Sequence, residues 1–380
     1  SAAIQASGDA LNTQAPVGGR IENGLIVDAA MSLIEAKIPA PTDAELDAAV
    51  AKAQELMLSN GLTAAADMGT SMPEWIAMNR AGKQGRLQAR ILSYAAGPEV
   101  VLSASVARGV LAPRAPVPWQ YEDHLRQGGV KLYADGALGS RGAWLKQPYA
   151  DKPDTRGLQF LTDAQILDQA DKSASLGFQI AIHAIGDAAN VQVISTYEQL
   201  SKKYGTNRRW RIEHFQIADP ADIPRLKPAG IIASMQPTHQ TSDRLMAEKR
   251  LDPPRLKGAY AWQTVERLGI PIAFGSDFPV ESPNPFPGLA AAVSRQDMNG
   301  QPPGGWYPEQ RVSFAEALDG FTRGAAYAGF AEDRIGSLEP GKWADFIIVD
   351  RDVSKVDPQA LARTQVLETW VAGEKVWERK

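Results

Sequence analysis

The stretch FQIAIHAIGD, residues 178–187, decides the fold class of this chain. Its apolar run is short and has no alternating polar face, and it ends on His183 just before a Gly-Asp turn. A strand that is apolar on both sides is buried on both sides, which is typical of a parallel sheet covered by helices. The next segment, residues 187–204, has helical periodicity, so the two together predict one strand–helix unit.

Similar units recur along the chain on both sides of this stretch. Strand-like runs begin at Leu62, Leu87, Gly129, Phe178, Arg209, Gly230 and Ile270. Helices are predicted at residues 43–59, 162–176, 187–204, 254–268 and 313–328, with Thr162 as an N-cap and Ser313 with Glu316 as a capping box. The alternation predicts an α/β protein with a parallel sheet, whose seven strands are one short of a (β/α)8 barrel.

Composition limits the classes of protein that remain. The chain has 380 residues, 44% hydrophobic and 22% charged, which is ample material for a core. Lys and Arg number 40 against 44 Asp and Glu, so the net charge of −4 excludes the basic excess of a nucleic-acid surface. Because cysteine is absent, disulfides, thiolate metal sites and cysteine nucleophiles are excluded.

The chain also lacks the patterns that direct a protein to a membrane. No apolar run approaches the ~18 residues needed to cross a bilayer. The first thirty residues show no charged segment followed by an apolar one, so no signal peptide is recognised. We therefore expect a soluble protein with no membrane partner, and the sequence leaves open whether it is cytoplasmic or periplasmic.

Four polar side chains lie at or near the ends of apolar strands, where packing gives no reason for them. They are Lys131, His183, His214 and Asp277. Since the carboxyl ends of parallel strands meet at one end of the sheet, we expect these groups to converge, with His183 and His214 within ~5 to 7 Å of each other. Imidazole and carboxylate groups are common ligands of divalent cations, so the pattern indicates a metal site.

Structural roles for the same residues remain open at this point. Each histidine is equally consistent with a hydrogen-bonded loop or core residue. Asp277 follows Gly-Ser and fits an N-cap or a turn, and Lys131 fits a buried stem with a surface ammonium.

His239 and His124, the other two histidines, are harder to interpret. His239 ends the run SMQPTH, where it could orient a substrate or stabilise an oxyanion, or serve as an ordinary loop residue. His124 lies among charged residues on a predicted helix and is interpreted as solvated surface. The glycine-rich run ADGALGSR, residues 134–141, lacks both nucleotide-binding glycine motifs, so a phosphate site there has weak support.

The two ends of the chain depart from the strand–helix alternation. Residues 1–42 are rich in Gly, Pro, Ala and Asn and are interpreted as loop or insertion material before the first helix. Near the other end, residues 344–350 predict a strand, and VLETWVAGEKVWE predicts a hairpin that turns at Ala372–Gly373. We therefore divide the chain into a main domain, residues 1–330, and a small β module, residues 331–380.

Motifs spread over most of the chain resemble those of the amidohydrolase superfamily, in the branch of N-substituted formamide deformylase-like and exoenzyme-regulator-like hydrolases. In order, they are SAAIQASG (1–8), GGRIENG (18–24), GVKLYADGALGSRGA (129–143), IAIHAIGDAA (180–189), RIEHFQ (211–216), SMQPTH (234–239), GSDFPV (275–280), TRGAAYAG (322–329) and IGSLEPGKWADFIIVD (335–350). Each motif is modest alone, and their shared order makes the resemblance specific.

The resemblance implies a (β/α)8 TIM barrel with one or two divalent metal ions, most often zinc, at the carboxyl ends of its strands. His183 and His214 match the family's ligands on strands five and six. Asp277 matches the strand-eight aspartate that binds metal and shuttles a proton, and Lys131 matches a position that is carbamylated in related enzymes. The β module corresponds to part of the family's small β-sandwich.

One family feature is missing from this sequence. The family's first barrel strand ends in H-x-H, and no H-x-H occurs in these 380 residues. The seven strands would then be strands two to eight, and we expect an N-terminal segment of the same protein to supply the first. On this expectation the 380 residues alone do not close a stable barrel.

The function expected from these residues is metal-dependent hydrolysis of a C–N bond in a small molecule such as an amide, a cyclic amide or a carbamate-like compound. A metal-activated water would attack, Asp277 would carry its proton to the leaving nitrogen, and His239 would help to stabilise the oxyanion. Two alternatives stay open: a non-catalytic scaffold or binding module, and a metal-dependent esterase or lactonase. A homo-oligomer is compatible with the sequence.

Overall fold

The computed structural model describes residues 14–16, 19–22, 25–102 and 115–380. The motif at residues 1–8 and part of the motif at 18–24 lie outside the described residues. The strands are β1 (Gly19–Glu22), β2 (Leu25–Asp28), β3 (Ala64–Thr70), β4 (Arg90–Ala96), β5 (Leu125–Tyr133), β6 (Gln179–Ala184), β7 (Arg211–His214), β8 (Ile232–Met235), β9 (Ile272–Phe274), β10 (Phe346–Val349), β11 (Val366–Val371) and β12 (Glu374–Glu378).

Helices alternate with these strands along the chain. They span Ser32–Glu35, Asp43–Ser59, Met72–Lys83, Pro98–Leu102, Asp163–Ser175, Asp187–Tyr204, Pro237–Arg250, Pro253–Leu256, Trp262–Arg267, Pro285–Ser294, Phe314–Phe321, Arg323–Ala328 and Pro358–Ala362. Short 3-10 helices span Ala29–Met31, Thr206–Arg208, Ile223–Leu226 and Pro308–Gln310. No helix in the described ranges combines the length and the apolar character that crossing a membrane requires.

Strands β3 to β9 form one seven-stranded sheet in which each strand pairs in parallel with the next in sequence. The sheet curls into a half-barrel. The curl is seen in the hydrogen bond from Arg211 on β7 to the hydroxyl of Tyr94 on β4, three strands away. Its register brings Lys131 opposite Ala181, and Ala184 opposite His214. The predicted α/β class and its seven parallel strands are confirmed, and the carboxyl ends of β5 to β7 lie at one level.

Capping explains where several helices begin. At Thr42, Ser71, Thr162 and Ser313 the side chain accepts the backbone N–H three residues on, and the Glu or Gln there accepts the cap residue's own N–H. Such reciprocal bonds satisfy two of the free donors at a helix N-terminus. The predicted N-cap at Thr162 and capping box at Ser313 are therefore confirmed.

Two predicted helices are each interrupted. Residues 254–268 divide into two short helices, because Ala259 between them pairs with Ile217 and Tyr260 takes a left-handed backbone, φ 50°. Residues 313–328 divide at Thr322, whose φ of −121° and ψ of −86° leave the helical region. His124 also differs from expectation, since it ends a tight turn at residues 121–124 and lies outside any helix.

The two ends of the chain form small antiparallel sheets. Residues 1–42, interpreted above as loop material, contain the hairpin of β1 and β2. Strands β10, β11 and β12 form a three-stranded sheet whose hairpin turns at Ala372 and Gly373, both with positive φ. This sheet packs on the main body, since Leu58 and Ala89 share an apolar cluster with Val371.

A buried ion pair ties the same sheet to β4. Arg90 donates from Nε and Nη2 to the two carboxylate oxygens of Asp345 at 2.7 and 2.9 Å. Both side chains are at most 4% exposed. The division into residues 1–330 and 331–380 remains our proposal, with a polar and an apolar contact joining the two parts.

Candidate metal centre

The ends of β6 and β7 bring two histidines together. His183 and His214 have ring centroids 4.5 Å apart. His214 is 6% exposed and has a left-handed backbone, φ 77°, which non-glycine residues seldom adopt. Backbone strain of this kind is concentrated at functional sites.

A third histidine and an aspartate complete the group, which we call the rim. His239 lies in the first turn of helix Pro237–Arg250, and its ring centroid is 5.8 Å from that of His214. Asp277 follows β9, also with a left-handed backbone, and its Oδ2 is 3.7 Å from His239 Nε2. One ligand atom each from His214, His239 and Asp277 lies within 4.8 Å of the others. The rim therefore consists of His183, His214, His239 and Asp277.

Lys131 lies on β5 beside the rim and is 4% exposed. Burial lowers the pKa of its ammonium to about 8, although the carboxylates of Glu213 and Asp277 favour the charged form. Its Nζ is 4.9 Å from the ring centroid of Tyr133. The surface-ammonium interpretation is wrong for this residue, because the whole side chain is enclosed.

Burial keeps two of the rim imidazoles, those of His214 and His239, neutral. It lowers the pKa of His239 to about 4, helped by the charge of His183, and holds the pKa of His214 well below its usual range. Burial also raises the pKa of Asp277, against the opposing influence of Lys131 and His183. Since neutral imidazole is the form that binds metals, the rim presents histidine ligands at neutral pH.

Hydrogen bonding directs these imidazole nitrogens. His214 Nδ1 lies 2.8 Å from the Gln236 side-chain oxygen, which can only accept, so Nδ1 carries the proton and Nε2 offers its lone pair. The Nε2 atoms of His183 and His239 are buried and have no hydrogen-bond partner within the part of the chain that is described. Buried nitrogens of this kind, beside a carboxylate, fit a divalent cation.

Sequence reasoning missed the role of Asp135. Its carboxylate is 0% exposed and accepts the backbone N–H groups of Trp144, Ile185 and Gly186 at 2.8 to 3.0 Å. These bonds join the loop after β5 to the loop after β6, and Oδ1 lies 3.4 Å from His183 Nε2. An anion of the protein thus fills the donors near this loop, which argues against a phosphate site there.

A shallow cleft lies beside the rim. Gln216, at its wall, donates to the carboxylate of Asp243 and to the hydroxyl of Tyr260. The cleft is lined by His214, Gln216, Met235, Gln236, His239, Tyr260 and Trp262. Amide, hydroxyl and indole side chains, nearly all of their surface buried, therefore surround the histidines on this side.

A second polar cluster, which we call the floor, lies deeper inside the half-barrel. Arg211 donates to both carboxylate oxygens of Glu213 at 2.7 and 3.2 Å, to Ser234 Oγ at 3.1 Å and to the hydroxyl of Tyr94 at 3.4 Å. Glu213 is 4% exposed, and Arg211 holds its pKa below the usual range against the effect of burial. The floor, consisting of Tyr94, Arg211, Glu213 and Ser234, has its charges matched internally.

Comparison with known proteins begins with a family model. The model described as "Amidohydrolase family" matches residues 1–377. The match therefore extends across the half-barrel and the small C-terminal sheet.

Three curated proteins match over the length of the chain. "Protein LONG AFTER FAR-RED 3" of Arabidopsis thaliana is 32% identical over 99% of this chain and 66% of its own length. "Putative amidohydrolase YtcJ" of Bacillus subtilis is 31% identical over 100% and 72%. "N-substituted formamide deformylase" of Arthrobacter pascens is 26% identical over 100% and 71%. The chain thus spans about two thirds of the length of these relatives.

A solved structure agrees with the fold. An uncharacterized metal-dependent hydrolase from Pyrococcus horikoshii superposes with a TM-score of 0.77 at 28% identity. The superposition covers 92% of this chain and 69% of that protein. The half-barrel and the attached small sheet therefore occur together in a hydrolase whose description includes a metal.

Proposed function

Because the chain belongs to the amidohydrolase family, we propose that it hydrolyses a C–N bond of a small molecule with the help of a divalent metal ion. The bond would belong to an amide, a cyclic amide or a carbamate-like compound. The observation that carries the proposal is the rim, where three imidazoles and a carboxylate converge and where two buried imidazole Nε2 atoms make no hydrogen bond within the described part of the chain.

His183, His214 and Asp277 are the residues that would hold the ion. A set of nitrogen and oxygen donors suits zinc, which we propose as the metal. Lys131 would contribute after carbamylation, since its lowered pKa increases the share of neutral amine that can react with carbon dioxide. A carbamate at this position would offer oxygen ligands to one or two ions.

When bound, a divalent cation lowers the pKa of a coordinated water from 15.7 to about 7 and polarises the scissile carbonyl. Asp277 would accept the proton of the attacking water and donate it to the leaving nitrogen. Its side chain is 37% exposed and lies beside the cleft, so it can reach a substrate. His239, kept neutral by burial, would donate its N–H to the developing oxyanion.

The relatives guide the choice of substrates to test. One of them is named for the hydrolysis of N-substituted formamides, so such formamides are the first compounds to test on this protein. Cyclic amides and carbamates follow, with esters and lactones as the comparison set.

The test combines metal content with turnover. His214→Ala and Asp277→Asn should each bind zinc more weakly and lose on the order of 100-fold or more in rate on the best C–N substrate, because ligands matter at least as much as the groups that orient them. Zinc is measured by mass spectrometry of the dialysed protein. His124→Ala is the matched control, because His124 lies outside the rim and its ring Nδ1 lies 2.8 Å from the carbonyl oxygen of Tyr121.

Three outcomes would contradict the proposal. Equal losses in His214→Ala and His124→Ala would mean that the wrong histidines are assigned. Turnover of esters or lactones alone would favour the esterase alternative. A protein that binds no stoichiometric metal and turns over none of the compounds tested would favour the scaffold alternative.

A further inference from the structure

Three arginines are almost completely enclosed, and one differs from the others. Arg90 and Arg211 are 1% and 5% exposed, and each donates two hydrogen bonds to a carboxylate. Arg295 is 0% exposed, and within the described ranges no carboxylate comes within ion-pair distance of it. A buried charge without a counter-charge is costly, so Arg295 requires a separate explanation.

Neutral groups accept hydrogen bonds from only some of the N–H donors of the Arg295 guanidinium. Nε donates to the carbonyl of Trp306 at 2.8 Å and Nη1 to the carbonyl of Tyr260 at 2.7 Å. The guanidinium carbon also lies 4.4 Å from the ring centroid of Trp262 and 5.4 Å from that of Trp306. Of the five N–H donors of an arginine, those on Nη2 remain without an acceptor.

The neighbouring indole has the same deficit. Trp262 is 0% exposed, and its Nε1 is buried without a hydrogen-bond partner among the described residues. Trp210, also 0% exposed, shows the usual arrangement, because its Nε1 donates to Ser201 Oγ at 2.9 Å. Two adjacent, buried side chains therefore both present N–H donors and no acceptor.

The surroundings are short of negative charge. Burial lowers the pKa of Arg295 to about 9, and the charge of Arg311 lowers it further, while Tyr260 and Glu309 act in the opposite direction. Arg311 itself donates to the carbonyls of Ser294 and Gly304. An added negative charge would therefore be stabilised here.

We propose that Arg295 Nη2 and Trp262 Nε1 bind a small monovalent anion of the size of chloride or bromide. Such an ion accepts several N–H donors at once, which is what these two side chains offer. Their complete burial excludes a bulky organic anion. This site does not depend on the proposed hydrolysis.

The anion would also act on the cleft. It would neutralise Arg295, which holds the carbonyl of Tyr260, and would fix the indole of Trp262. Tyr260 and Trp262 line the cleft together with His214 and His239. Occupancy would therefore stiffen one wall of the cleft.

Thermal unfolding in matched salts tests the site. The protein is dialysed into sodium gluconate, and chloride or bromide replaces gluconate at constant ionic strength. We expect a saturable rise in Tm of about 2 °C or more with either halide, since a ligand that binds only the folded state stabilises it. Fluoride, which is strongly hydrated, should have a smaller effect.

Two variants locate the effect. Trp262→Phe keeps an aromatic ring but removes the N–H. The halide concentration that gives half of the Tm rise should increase about tenfold, because one hydrogen bond to a charged group is lost. Trp210→Phe is the matched control and should leave the halide dependence unchanged. Bromide anomalous diffraction on the unmodified protein gives a direct answer even if a variant fails to fold.

A bromide peak within hydrogen-bonding distance of both nitrogens is the expected result. A peak elsewhere, or density for water alone at Arg295, would overturn the proposal. So would equal Tm values in all salts, or the same loss of halide dependence in Trp262→Phe and Trp210→Phe.

Discussion

The rim and the floor of the half-barrel are both buried and polar, yet they differ in how their hydrogen-bonding groups are used. In the floor, Arg211 and Glu213 bond each other twice, and Arg211 also bonds Ser234. In the rim, the Nε2 atoms of His183 and His239 have no partner in the described ranges. Internally matched polar groups stabilise a fold, whereas unmatched ones remain available to a ligand. The difference separates structural from functional polarity on two adjacent strands, where His183 of β6 is paired with Glu213 of β7.

Glu213→Gln should have the largest effect, because it breaks the floor. It leaves the Arg211 cation buried without its partner, and we expect the free energy of unfolding to fall by about 3 to 5 kcal/mol. Urea denaturation of the metal-free protein measures this change. The double variant Arg211→Met, Glu213→Leu should recover most of the loss. A change under about 1 kcal/mol in the single variant would contradict the structural role of the floor.

The rim should instead respond to pH. His239 has a pKa of about 4 in the folded protein against 6.5 ordinarily, so the unfolded chain binds more protons between these values. The metal-free protein should therefore lose stability as pH falls from 6.5 to about 4, by up to about 3 kcal/mol. Denaturation midpoints across this range test it. His239→Gln should flatten the dependence, and an unchanged curve in that variant would refute the assignment.

Gln236→Leu should have the smallest of the three effects, on the orientation of a rim ligand. Loss of the acceptor for His214 Nδ1 should weaken zinc binding about 10- to 100-fold, while stability changes little. Competition with a chelator measures the affinity. Gln236→Glu retains an acceptor and should bind zinc closer to the normal level. If both variants behave alike, Gln236 does not orient His214.

Much of the half-barrel could be predicted from sequence because its strands are buried on both faces. Runs such as IAI (residues 180–182) and IPIAF (residues 270–274) are apolar for that reason, and their period contrasts with the helices around them. The sequence did not predict the two helices that begin at Pro237 and Pro285, because each proline follows a polar run and resembles a loop residue. In the structure each occupies the first turn, where proline is well tolerated.

The residues of the candidate site also fall into those that the sequence predicts and those that it does not. Four residues stand out because each interrupts or ends an apolar run, and the structure brings them to the same end of the sheet. They are Lys131, His183, His214 and Asp277. The proximity of His239 to Asp277 depends on how helix Pro237–Arg250 approaches the sheet, which local sequence does not encode. Asp135 was noted only as part of a polar loop, because its three partners are backbone N–H groups that carry no sequence signal.

The ion pair of Arg90 with Asp345 has a consequence for how the chain matures on the ribosome. The two residues are 255 positions apart, so β4 is synthesised long before the carboxylate that neutralises its buried arginine. Until Asp345 emerges, enclosing β4 would leave a cation without its counter-charge, which is unfavourable. Final consolidation of the early strands should therefore wait for the last part of the chain. A nascent chain stalled before residue 345 would keep this part of the sheet open to chaperones and proteases.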